Sequence, residues 1–159
     1  MQNDTVLVLT YKSVDTMFKE GGCGYWRANA HSLSSCKYLV ATRNSRRAER
    51  EGDEPHGAAF FVGEINGVRA DRDRYVVTFS RYAVLTVPVD EVWTSGGSNP
   101  VHYAEFRTLK LPKSLDWQAW PATHAEKVVD RPLTIAQAKT GLAMTFGVDP
   151  SQIEIVIKG

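Results

Sequence analysis

Three glycines within four positions, Gly21-Gly22-Cys23-Gly24, stand directly before Tyr25-Trp26-Arg27-Ala28-Asn29. Glycine loses more backbone freedom on ordering than any other residue and offers no side chain to pack, so this density argues against helix or strand interior. The sequence therefore predicts a loop that carries Tyr25 and Trp26. A large aromatic on a loop either packs or binds something, which makes this segment the first candidate site.

The flanking segments read as short elements. Val6 to Leu9 is an apolar run of strand length. Ser13 can cap a short helix carrying Val14, Met17 and Phe18, with Gly21-Gly22 as its terminator. After the glycine break, His31 to Cys36 fits one helical turn. Tyr38 to Thr42 fits a strand whose end delivers Arg43, Asn44 and Ser45 to a surface, and the charged stretch from 45 to 56 reads as a loop. Ala58 to Ile65 is a strand with Asn66-Gly67 as its turn, and Tyr75–Ser80 and Tyr82–Val87 are two more, ending at Pro88. Close-spaced strands with helices at the margins predict an α+β fold built on a small curled sheet or barrel.

The last third differs in texture. Residues 112–132 read as a strap over the body, with Trp117 and Trp120 packing it down. Thr134 and Gln137 match a capping box, Ile135, Ala138, Leu142 and Phe146 form an apolar stripe, and Gly147 marks the exit. After the Asp149-Pro150 turn, Ile153, Ile155 and Ile157 alternate as in a terminal strand. The organisation expected is a domain over 1–112 and an extension over 113–159 packed on it.

With a net charge of +1 over 159 residues, no global field points to nucleic acid or acidic lipid. The distribution is less even: Lys37 to Arg50 holds five basic residues and one acid, and Arg27, Arg43, Arg46 and Arg47 are candidate phosphate contacts. No basic start precedes a long apolar segment and no apolar run reaches membrane-spanning length, so a soluble, cytoplasmic protein without a membrane partner is expected. Cys23 and Cys36 are expected as reduced thiols. Cys23, His31 and Cys36, with seven and four residues between them, match no common zinc spacing, and neither metal nor cofactor is expected. Asp53-Glu54 and Asp90-Glu91 read as solvated charge, and Cys23 as a nucleophile has no histidine placed beside it. The aromatics speak louder. Trp26 with Tyr25, and Trp93 before Ser95 to Pro100, both lie at loop edges, where two indoles could sandwich a flat ring while Asn29, Ser45 and Asn99 read its rim. The alternative is that both indoles plug the ends of a barrel.

The order strand, Lys12-Ser13, short helix, glycine break, Trp26, Asn29, Leu33, strand, then Gly57-Ala58-Ala59-Phe60-Phe61-Val62-Gly63-Glu64-Ile65, resembles the PUA-like superfamily, nearest to its YTH and EVE branches, over about residues 5–105. In YTH domains a Lys-Ser pair ends the first strand and a tryptophan forms one wall of a cage for a methylated base. The resemblance implies that role for Trp26. Trp26-Arg27-Ala28-Asn29 departs from the Trp-Ser/Thr-Thr pattern there, and the Gly-x-Lys-x-x-Glu-x-Arg signature of ASCH domains is absent. The leading expectation is a non-catalytic module that binds RNA or single-stranded or modified DNA and accommodates one modified or flipped base. The alternatives are a small nucleotide-processing or hydrolytic enzyme using the same pocket, and a protein-interaction module of phage or mobile-element origin docking through the C-terminal extension.

Overall fold

The computed structural model describes residues 3–121 and 134–159. The chain forms two compact units, Met1–His124 and Ala125–Gly159.

The first unit is a mixed α+β body on one seven-stranded sheet. Its strands are β1 (Thr5–Thr10), β2 (Cys23–Trp26), β3 (Tyr38–Arg43), β4 (Ala59–Asp71), β5 (Arg74–Val89), β6 (Val101–Ala104) and β7 (Gln118–Ala119). The order across the sheet is β2-β5-β4-β3-β1-β6, with β7 also on β5. β1 and β3 run parallel, Val8 beside Ala41 and Thr10 beside Arg43, and every other pairing is antiparallel. A parallel neighbour needs a crossover, and α1 (Val14–Glu20), β2 and α2 (Ala30–Ser34) supply it. Pairing irregularities in the β4–β5 ribbon, around Phe61 and on both sides of Ile65, bend the strands and help curl the sheet into a half-barrel.

Local signals place the helix ends. The Ser13 side chain accepts from Thr16 N–H, and Gly21, at φ 77°, closes α1 in the left-handed region that favours glycine. Asn29 does for α2 what Ser13 does for α1, accepting from Ser32 N–H.

The glycine break is not a loop: residues 23–26 are β2, and the glycines are there for close approach. A Cβ on Gly24 would meet Val76 Cγ2 at 2.7 Å, and one on Gly22 would run into the Val77 carbonyl. Asn66-Gly67 is not the turn, because β4 continues through it and the chain reverses at Arg72-Asp73 instead. Tyr75–Ser80 and Tyr82–Val87 are one 16-residue strand, β5.

Both faces of the sheet are covered, which explains the continuous apolar run of β1. Val6, Val8, Leu39, Ala41, Phe61 and Phe79 form one face, closed by Met17 of α1 and Leu33 of α2. Leu7, Val40, Val62, Leu85 and Trp93 form the other, closed by Phe106, Leu109, Leu111, Leu115 and Trp117 from the segment after β6. The two strap tryptophans part company: Trp120 wedges among Phe18, Phe79 and Tyr82 on the first face, while Trp117 lies under Arg81 and stacks with Tyr38. The remainder of the expected strap, residues 122–132, lies outside the described residues.

The second unit holds α3 (Ile135–Phe146), opened by the reciprocal Thr134–Gln137 capping box and closed by Gly147 at φ 68°. A 3₁₀ turn at Pro150–Gln152, capped by Asp149, follows. The expected terminal strand is not formed: among the described residues nothing pairs with 153–158, and alternation alone supplies no hydrogen-bond partner. Among the described residues no helix is long and apolar enough to cross a membrane.

Candidate functional site

The parallel pairing of β1 and β3 brings the end of β3 beside the carbonyls that follow β1, and Arg43 is the residue delivered there. Its side chain is buried, at 2% exposure. Nε and Nη2 donate to Glu54 Oε1 at 3.2 and 3.0 Å, and Nη1 donates to the carbonyls of Thr10 and Lys12 at 3.3 and 2.9 Å. The guanidinium also lies 4.1 Å from the centre of the Phe60 ring. A planar fork with five donors suits this double engagement of carboxylate and backbone; an ammonium does not.

Residues 44–57 are folded against this point. Glu51 N–H donates to Tyr11 O, and the Glu51 carboxylate accepts from Ser13 N–H and the Thr16 hydroxyl at the start of α1. Those donors hold its carboxyl below the usual 4.5, the Ser13 N–H first. His56 Nδ1 accepts from Ser45 N–H at 3.3 Å, and burial, then the Arg46 charge, keeps the imidazole below its ordinary 6.5. Between this segment and the outer end of β5 lies an open cleft of about 560 Å³, with Arg43, Glu51, Asp53 and Glu54 as its charged lining and Phe60, Val84 and Leu85 among its apolar lining. Three carboxylates face one guanidinium, which Glu54 already engages, so the cleft favours hydrogen-bond donors and cations.

The titrations of this segment have a testable sign. Both groups have folded pKa values below their unfolded ones, so the stability they lend is complete above the unfolded pKa and is lost as pH falls, below 6.5 for His56 and below 4.5 for Glu51. Hydrogen exchange at the Ser45 amide, corrected for intrinsic rate, should quicken as pH falls below 6.5, ahead of Ser13. His56→Gln should remove that first stage and leave the second. Simultaneous opening of both amides at a single pH would contradict the assignment.

The residues expected to form an aromatic slot do not meet. Trp26 is 7% exposed in the first-face core, its Nε1 donating to Cys23 O at 3.1 Å. Trp93 is 6% exposed in the second-face core, its Nε1 donating to Ser95 O and its ring 4.6 Å from that of His102. The two indoles stand on opposite sides of the sheet and cannot sandwich one guest. Tyr25 is partly open, with Lys12 Nζ 4.9 Å from its ring centre. Of the polar candidates, Asn29 caps α2 and Asn99 accepts from Val101 N–H. Ser45 holds His56 through its backbone. Of the arginines, Arg27 makes an exposed ion pair with Asp73, and Arg47 pairs with Glu49 over the Tyr11 ring. Arg46 points outward beside them, but Arg43 is buried and fully engaged, which corrects its expected role on phosphate. Burial pushes the Cys23 thiol up to about 12, the reverse of what a nucleophile needs, and Cys36 is raised by burial as well. Among the described residues no group of His, Cys, Asp and Glu could hold a metal ion.

Glu51, Glu54, His56 and Phe60 were missed as site residues. One signal was available: Leu39, Ala41 and Arg43 share a strand face, so period two alone turns Arg43 inward.

Comparison with known protein families, curated proteins and solved structures finds no match to this chain.

Proposed function

We propose that this chain is a nucleic-acid-binding module of PUA-like type that binds without catalysis, and that its base pocket is the cleft beside Arg43 rather than a slot at Trp26. The observation that carries this reading is the cleft itself. Glu51 and Asp53 offer acceptors beside an apolar wall of Phe60, Val84 and Leu85, in a volume of about 560 Å³ at the open edge of a curled sheet. Carboxylates accept from the exocyclic amino groups of bases, and an unstacked base is read along that edge while its ring rests on apolar or aromatic surface. The same segment turns Arg46 and Arg50 outward, where they would meet backbone phosphates. The order strand, Lys12-Ser13, short helix, glycine break and strand, on which the resemblance rests, supports it too.

Fluorescence anisotropy with labelled single-stranded RNA and DNA, in a salt series, tests this. Binding should fall steeply with salt. The double variant Arg46→Ala with Arg50→Ala should weaken all sequences alike and reduce the salt slope by about 2, roughly one unit for each phosphate no longer neutralised. Asp53→Asn should leave the slope unchanged and shift preference among amino-bearing bases relative to uracil or thymine. Absence of binding at the lowest salt, or an affinity indifferent to salt, would overturn the proposal.

A further inference from the structure

The second unit leaves apolar surface uncovered. It spans Ala125–Gly159, 35 residues, below the roughly 40 at which a chain ordinarily needs a metal, a disulfide or a partner to hold a fold. Within it, Ile135 and Leu142 of the α3 stripe are exposed, Phe146 is 68% exposed and Ile157 is 80% exposed. Ile153 to Lys158 has the composition of a strand, yet among the described residues no strand pairs with it; the Ile153 N–H donates to Pro150 O, and the backbone groups of the residues after it offer an open ladder.

The order of charges along this segment identifies a partner. In Ile153-Glu154-Ile155-Val156-Ile157-Lys158 the acid and the base stand two positions on either side of Val156. An antiparallel pair of two such segments, centred on Val156, sets Glu154 opposite Lys158 of the partner subunit and Ile155 opposite the partner's Ile157. The two-fold axis repeats both contacts. A parallel in-register pair would instead set like charges together at both ends. On the antiparallel ribbon, Glu154, Val156 and Lys158 share one face, and Ile153, Ile155 and Ile157 share the other. The isoleucine face is a sheet surface suited to the apolar stripe of α3.

We infer that the C-terminal unit is a self-association module, in which two copies of this chain pair residues 153–158 as an antiparallel ribbon and cover its isoleucine face with their α3 helices. This goes beyond the cleft and does not depend on it.

Sedimentation equilibrium on the full chain tests the inference. The unaltered chain should be dimeric. Glu154→Lys and Lys158→Glu, both at exposed positions, should each weaken dimerisation about tenfold by setting like charges across the ribbon at both ends. An equimolar mixture of these two variants should recover the unaltered affinity, because opposite charges then face one another in the heterodimer. Ile157→Asp should give monomer. An unaltered chain that stays monomeric to hundreds of micromolar, or a mixture no tighter than either variant alone, would overturn the inference.

Discussion

Arg43→Ala should destabilise the first unit by about 3–5 kcal/mol, the usual cost of removing one member of a buried ion pair. Four hydrogen bonds and the packing against Phe60 disappear together. Glu54, at 19% exposure, then loses its cation, and the Thr10 and Lys12 carbonyls are left without that donor. With domains typically stable by about 5–15 kcal/mol, such a loss shows plainly in a urea titration followed by circular dichroism. Arg43→Lys should recover only a small part, since one ammonium cannot reach a carboxylate and two carbonyls in the guanidinium's geometry. The cleft should go with it, because Glu54 and its neighbours are anchored on Arg43. A cost below about 1 kcal/mol would match a solvated surface pair and would remove Arg43 from the centre of this site.

Trp26→Ala should cost a similar amount, about 3–5 kcal/mol, through reduced burial and the cavity left behind. The ring belongs to the core that also holds Met17, Leu33, Val77 and Phe79, and its N–H satisfies Cys23 O. Trp26→Phe keeps most of the apolar packing and should cost clearly less. The decisive comparison is with binding. Under conditions where Trp26→Phe remains folded, its base preference in the anisotropy assay should equal that of the unaltered chain, whereas Asp53→Asn should change it. A stable Trp26→Phe with altered base preference would return the indole to the binding site and count against the cleft.

What could be read from the residues alone was local. Ser13 and Gly21 bound α1, and Thr134, Gln137 and Gly147 bound α3, because a cap is made by atoms within a turn of each other. β1, β3 and the start of β4 were legible as apolar runs of strand length. The site was less so. Trp26 and Trp93 look alike in sequence, each an indole beside a glycine-rich stretch, but they pack on opposite faces of one sheet. Gly22 and Gly24 read as flexibility, yet they serve close approach to Val76 and Val77, more than fifty positions away.

The chain by itself determined its α+β character, the ends of α1 and α3, and a terminal segment of strand composition; each depends on the chemistry of neighbouring residues and on periodicity. Tertiary structure alone decided which aromatics are interior, where β4 turns back, and which two carbonyls, more than thirty residues earlier, Arg43 meets. Pairing β1 with β3 is what sets those carbonyls beside the guanidinium. Such meetings follow from register between distant strands, and no window of adjacent residues contains the atoms that fix it.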